Sequence, residues 1–316
     1  MPPSIHSALQ RILDEAGKVI LGKETQLKLS LACILARGHL LIEDLPGMGK
    51  STLAHTLAQV LGLDFRRVQF TSDLLPADIL GVSVYDRNTA EFKFHPGPVF
   101  TNVLLADELN RATPKTQSAL LEAMEEHQIT LDGETRKLPA PFFVIATQNP
   151  THHVGAYPLP ESQLDRFLMK IALGYPDARS ERNLLHNTGG RHAKADAIID
   201  ATTLFQLQDA VNDIQVSDAL LDYLQAILDY TRRAPQYQAG LSPRAGIALK
   251  QCAQAWALIS GRSYVLPEDV QAVLPSVVGH RLQTTSAHVK AIDVGSDLLR
   301  AIPINQPSHP AALNPI

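Results

Sequence analysis

The segment Glu43-Asp44-Leu45-Pro46-Gly47-Met48-Gly49-Lys50-Ser51, with Thr52 behind it, constrains this chain more than any other stretch. It follows the apolar run His39 to Ile42 and opens a helically spaced pattern from Lys50 to Leu61. Strand, glycine-bearing loop and helix in that order bring backbone N–H groups around a phosphate. Gly47 and Gly49 let the backbone approach closely, and the helix start adds the positive end of its dipole. Lys50 can neutralise β and γ phosphates, and the Ser51 hydroxyl can ligate Mg²⁺. The pattern GxxxxGK[ST] has Gly where Asp44 stands, so a residue without glycine's conformational freedom forms the first turn.

A second apolar run, Val103 to Ala106, ends in the adjacent carboxylates Asp107 and Glu108. Two acids at a strand end can divide the work of hydrolysis. Asp107 would hold Mg²⁺ through water, and Glu108 would orient and polarise the attacking water. A strand that simply reaches solvent in two charges is the alternative, and a phosphate loop upstream at proper spacing disfavours it. A third run, Phe142 to Thr147, delivers Gln148 and Asn149 to the strand edge where ligands sit in open α/β sheets, so Asn149 could position water against a γ phosphate. With Phe65 to Phe70 there are four short apolar runs separated by helical stretches such as Lys115 to His127. This alternation predicts parallel βαβ units in a three-layer α/β sandwich.

Beyond Gly174-Tyr175-Pro176 the pattern becomes almost entirely amphipathic helix, including Asp218 to Tyr230 and Pro243 to Ser260. The expected organisation is a nucleotide-binding core over 1–176, a helical lid over 177–300 and an extended tail over 301–316, where PINQPSHPAALNPI carries four prolines. Two arginines stand out. Arg166 follows the third strand in an apolar and acidic stretch, as a transition-state finger would. Arg244 falls in the first turn of a lid helix behind Ser242 and Pro243, where a cation opposes the helix dipole and calls for an anion. Bound phosphate and an internal salt bridge both remain open for each arginine.

With 316 residues the chain can hold such a core and a smaller companion. Its net charge of -4 provides no global basic field to collect nucleic acid or anionic membrane. The cation pairs Arg66-Arg67 and Arg232-Arg233 read as solvated surface. Cys33 and Cys252 lack metal-ligand spacing and read as two buried, reduced thiols. The first residues lack a basic segment leading into an apolar one, and no run of apolar residues is long enough to span a bilayer, so a soluble, cytoplasmic protein without an integral membrane segment is expected. The adjacent His152 and His153 cannot both face one metal on a regular element, so no zinc is expected.

The connecting text resembles the MoxR family of AAA+ ATPases as closely as the motifs do. The strings are FTSDLLPADILG from Phe70, GPVF from Gly97, ADELNRATPKTQSALLEAMEE from Ala106 and ATQNPTHHVGAYPLPESQLDRF from Ala146, and the likeness runs from about Val19 to Arg281. The resemblance implies ATP and Mg²⁺ as cofactors and a ring, usually hexameric, in which an arginine of one subunit completes its neighbour's site. Lys50 and Ser51 then match Walker A, Asp107 and Glu108 match Walker B, Asn149 matches sensor 1, Arg166 the finger and Arg244 sensor 2. Val19 to Lys23, which includes Ile20, matches the stretch that packs on adenine. Two insertions are expected, at Leu80 to Phe94 and in a hairpin over Gln128 to Leu138 around Asp132-Gly133, either of which could line the pore. Similar proteins act as chaperone-like motors on partners that carry a von Willebrand factor A domain. A nucleic-acid-associated AAA+ motor is the alternative, and it needs a cationic path that this sequence hardly supplies.

Overall fold

The computed structural model describes residues 3–149, 157–186, 195–285 and 291–302. The expected tail beyond residue 302 and the His152-His153 pair lie outside them. Two helices come first, α1 (Pro3–Val19) and α2 (Glu24–Leu35), followed by β1 (His39–Glu43), α3 (Lys50–Val60) and β2 (Phe65–Gln69). A short helix α4 (Pro76–Leu80) leads into the hairpin β3 (Gly81–Asp86) and β4 (Glu91–Pro96). Next are β5 (Val103–Asp107), α5 (Pro114–Glu126), the hairpin β6 (Gln128–Leu131) and β7 (Glu134–Lys137), β8 (Phe143–Gln148), α6 (Glu161–Leu164) and β9 (Phe167–Ile171).

Five strands form one parallel sheet in the order β2-β5-β8-β1-β9. Alternation along each central strand builds two cores, because successive side chains point to opposite faces. Leu40, Ile42, Val103, Leu105, Phe143 and Ile145 pack on one face with α1, α2 and α3. Leu41, Leu104, Ala106, Val144 and Ala146 pack on the other with α5. Burial on both faces explains why these strands read as unbroken apolar runs. Each fully buried Leu or Ile contributes about 1.5–3 kcal/mol.

The register brings the carboxyl ends of β1, β8 and β5 to a common edge, with Glu43 opposite Gln148 and Leu41 opposite Ala146, itself opposite Ala106. Sequence reading found four of the five strands and missed β9. Its buried positions alternate with half-buried ones, and Lys170 interrupts the run, so it lacks the continuous apolar signature of its neighbours. The expected hairpin around Asp132-Gly133 is present, with φ of 53° and 79° at those two residues, as a two-residue hairpin turn requires. The Leu80 to Phe94 insertion is also a hairpin, exposing Val82, Val84, Tyr85 and Phe92.

Among the described residues, helices α7 (Ala178–His186), α8 (Ala201–Asn212), α9 (Asp218–Arg233), α10 (Pro243–Ile259), α11 (Pro267–Val278) and α12 (Ala291–Ala301) follow. Side chains cap four of them: Asp177 accepts from Ser180 N at 2.9 Å, Asp200 from Thr203 N at 2.8 Å, Ser217 from Leu220 N at 3.3 Å and Ser242 from Ala245 N at 3.2 Å. Ala-rich α10 packs at the centre of the lid, against α11, α8, α9 and also α2. Cys33 and Cys252 are buried and free, and burial raises both thiol pKa values, that of Cys252 to about 12. Among the described residues no helix is long and apolar enough to cross a membrane.

Candidate nucleotide site

The loop between β1 and α3 is held open. Gly47 and Gly49 have φ of 84° and 87°, and no atom lies within 4 Å of where a Cβ would stand on either. Gly49 is the N-cap of α3 and offers no side-chain cap, so the first-turn N–H groups remain available to an anion. Pro46, Gly47 and Met48 form the loop, and Ser51 and Thr52 begin the helix. Neither hydroxyl of that pair has a hydrogen-bond partner among the described residues.

Asp44 explains its own presence at the position where the pattern has Gly. Its carboxylate is buried and accepts from Leu45 N at 2.7 Å, Leu173 N at 2.7 Å and Gly174 N at 2.6 Å. The first residue of the loop is thereby tied to the chain that leaves the sheet for the lid. Lys50 lies within this frame, donating to the Asp44 carbonyl at 2.5 Å, the Leu45 carbonyl at 3.3 Å and Asn149 Oδ1 at 3.1 Å. Burial lowers the Lys50 pKa, and the carboxylates of Asp44, Asp107 and Glu108 oppose that shift.

Asn149 links the lysine to the acid expected to activate water: its Nδ2 donates to Glu108 Oε1 at 3.1 Å. Lys50 can only donate, so it takes the amide oxygen and leaves Nδ2 for Glu108, and the network fixes the orientation of the amide. Glu108 has φ of 57°, a left-handed conformation that costs a non-glycine residue on the order of 1 kcal/mol or more. Several contacts hold it there. Its N–H donates to Thr147 Oγ1 at 2.9 Å, and its Oε2 accepts from Gln69 Nε2 at 2.8 Å and Arg111 Nη1 at 3.0 Å. Thr147 in turn donates to Asp107 Oδ1 at 2.6 Å, so one hydroxyl sets both acids.

Arg67 corrects the sequence reading. It is not plain solvated surface, because its guanidinium donates to Asp107 Oδ2 from Nη2 at 2.6 Å and from Nε at 3.1 Å. The guanidinium keeps the Asp107 carboxylate paired. Sequence reasoning also missed Thr147 and Gln69. Their one signal was a polar residue at or next to the last position of a strand, beside a motif residue on the neighbouring strand.

The donors suit a nucleoside triphosphate: open glycines, an uncapped helix start, an ammonium group and a free hydroxyl. No group of three or more His, Cys, Asp or Glu side chains among the described residues could hold a metal ion. The pair Ser51 and Asp107 fits a cation that keeps most of its ligands as water and phosphate oxygen, as Mg²⁺ does. Ile20 is buried in the core between α1 and α2. Lys23, at the end of that turn, donates from Nζ to the Tyr175 carbonyl at 2.5 Å, so the segment adjoins the passage from sheet to lid.

Arg166 and Arg244 are not with the loop. Arg166 precedes β9 and pairs with Glu125 Oε2 at 2.8 Å while donating to the Leu121 carbonyl at 2.6 Å. Arg244 reaches Glu125 Oε1 at 3.5 Å, so one carboxylate at the end of α5 serves both. The sequence grouped Arg244 with the residues around the nucleotide; in the fold it sits beside Arg166, at the amino end of β1 and β9. Lys50 follows the carboxyl end of β1. A five-residue strand at ~3.3 Å per residue separates those ends by roughly 16 Å. Glu125 also provides the anion that the first turn of α10 calls for.

Two family descriptions match the chain: "ATPase family associated with various cellular activities (AAA)" over residues 39–169 and "AAA lid domain" over residues 229–301. The uncharacterised protein YeaC of Bacillus subtilis is 46% identical over 88% of both chains. The chaperone MoxR1 of Mycobacterium tuberculosis is 42% identical over 88% of this chain and 76% of its own. Protein MoxR of Methylorubrum extorquens is 29% identical over 93% of both. A crystal structure from Cytophaga hutchinsonii superposes with a TM-score of 0.86 at 36% identity, covering 94% of each chain.

Proposed function

Because the chain belongs to the MoxR family of AAA+ ATPases, we propose that it hydrolyses Mg²⁺-bound ATP at sites shared between adjacent copies in a ring, and that hydrolysis remodels or assembles a partner protein. The observation that carries the shared site is the separation of Lys50 from Arg166 and Arg244. Both arginines face away from their own loop, at the other end of the sheet, and Glu125 holds them together. They are offered to a second copy.

Within one site the chain's own residues divide the work. Gly47, Gly49 and the first turn of α3 surround the phosphates, and Lys50 exchanges the Asp44 and Leu45 carbonyls for phosphate oxygens. Ser51 and Asp107 would hold Mg²⁺, which would supply charge neutralisation at the phosphates. Glu108, steadied by Asn149 and Gln69, orients water and takes its proton. Arg166 of the next copy meets the charge that develops on the transferred phosphoryl group, with Arg244 beside it. Ile20, next to the core-to-lid passage, serves the adenine side.

Residues 1–176 form the core and 177–300 the lid in this reading. Two buried free thiols support a cytoplasmic setting. The exposed Val82, Val84, Tyr85 and Phe92 of the β3–β4 hairpin support client contact there. The client is assigned as a protein with a von Willebrand factor A domain, and the ring as a hexamer, on the family likeness.

Mixing subunits tests the shared site. Lys50→Ala and Arg166→Ala proteins are each expected to be inactive, whereas their mixture regains turnover at interfaces that combine an intact loop with an intact arginine. Turnover no higher than either protein alone contradicts it. For the client, Glu108→Gln protein in ATP should retain a protein with a von Willebrand factor A domain from a lysate. Retention of nucleic acid in a salt-sensitive manner instead would reverse the assignment.

A further inference from the structure

Arg281 sits just past α11, in the lid, yet its bonds go to the chain on either side of Arg166. Its side chain is 5% exposed. Nε donates to Asp165 Oδ1 at 2.7 Å. Nη2 donates to the Phe167 carbonyl at 2.8 Å and the Asp165 carbonyl at 3.4 Å, and Nη1 to the Leu168 carbonyl at 3.0 Å. Nη1 also donates to Val277 O on α11, which anchors the guanidinium to its own helix. The adjacent His280 is buried and its Nε2 donates to the same Phe167 carbonyl at 2.9 Å. Burial, reinforced by the Arg281 charge, holds that imidazole neutral, with its pKa well below the usual value.

These bonds fall on an edge. Among the described residues β9 pairs only with β1, so carbonyls on its outer side have no strand there to accept from. The lid supplies the missing donors at the point where Arg166 emerges. Arg166 itself is attached to the core through Leu121 and Glu125. Its backbone on both sides is attached to the lid, by a planar fork whose donors are committed to separate acceptors. A lid that moves relative to the sheet therefore moves residues 165–168, and Arg166 with them.

We propose that Arg281, with His280, is a positioning residue for Arg166: the lid of one copy sets how that copy presents its arginine to its neighbour's nucleotide. This rests on the reading that Arg166 acts in trans. It makes lid position, which answers to the nucleotide bound in one copy, a signal read by the adjacent copy's site.

Subunit mixing separates this role from damage to the lid as such. Arg281→Ala is expected to lower turnover by about tenfold or more, while the affinity of the assembled protein for a fluorescent ATP analogue stays within about threefold. Mixed with Lys50→Ala subunits, Arg281→Ala regains turnover, because its own loop is intact and the partner brings a well-placed arginine. Mixed with Arg166→Ala subunits it regains none, because both lack the same half. The reverse pattern, rescue by Arg166→Ala and not by Lys50→Ala, places the damage in the variant's own site and overturns the proposal, as does full activity of Arg281→Ala. Lys50→Ala mixed with Arg166→Ala is the control; with no rescue there, the trans reading fails and the proposal with it, whereas rescue there with the reverse Arg281 pattern sinks the proposal alone. If Arg281→Ala does not fold, Arg281→Lys, which keeps the charge and loses the fork, and Asp165→Ala, which removes one acceptor, must show the same pattern at smaller amplitude.

Discussion

Asp44 shows how one residue departs from a pattern without weakening it. Glycine at this position serves a tight turn; here a carboxylate accepts three backbone N–H groups, two of them from Leu173 and Gly174 at the far end of the core. Asp44→Gly restores the common pattern and leaves the Leu173 and Gly174 N–H groups without their acceptor at about 1–3 kcal/mol each, so a loss of about 2–6 kcal/mol is expected. The midpoint of chemical denaturation checks it; an unchanged or higher midpoint would show that water replaces the carboxylate at no cost. Nothing in the local sequence gives the partner, since Leu173 lies 129 residues away. Lys50, Asp107, Glu108 and Asn149 were legible because their chemistry depends on local order along the chain. Thr147, Gln69 and Arg67 were not, because each acts across a strand pairing that the sequence does not display.

At the scale of elements, the central strands announced themselves and the edge strand β9 did not. β1, β5 and β8 are buried on both faces and left unbroken apolar runs; β9 and the β3–β4 hairpin, partly exposed, left none. His39 at the start of β1 ties three elements together. Its Nδ1 accepts from Val144 N at 3.0 Å, and its Nε2 donates to the Met124 carbonyl at 3.2 Å on α5, one residue before Glu125. Burial lowers its pKa from 6.5 to about 4. The folded state therefore resists a proton that the unfolded chain accepts below pH 6.5, so the contribution of neutral His39 is full above that pH and is lost as pH falls toward 4. A shift of that size corresponds to about 3 kcal/mol across this window. His280, also pushed down, adds to the same slope. Unfolding free energy measured from pH 7 to pH 4 should fall, and His39→Gln should flatten the fall; an equal slope in the variant would assign the acid sensitivity elsewhere.

The molecule as a whole puts its two kinds of chemistry at opposite ends of one parallel sheet. At the carboxyl end Lys50, Asn149 and Glu108 form a continuous hydrogen-bonded chain; at the amino end Arg166 and Arg244 share Glu125, with Arg281 behind them. Sequence order alone lists these residues as one set. The fold divides them, because parallel strands bring Lys50, Asp107, Glu108 and Asn149 to one edge, whereas Arg166 stands at the entry to β9 on the opposite edge, beside the lid. This division requires first that the carboxyl end be a hydrolytic centre in which Glu108 acts on water and not on nucleotide binding. Phosphate release and ATP affinity, measured on the same preparations of wild-type and Glu108→Gln protein, test this most directly. Turnover lower by about 10²-fold or more is expected, with affinity within about threefold of wild type. Turnover that persists near the wild-type rate, or an affinity loss as large as the loss of turnover, would contradict it.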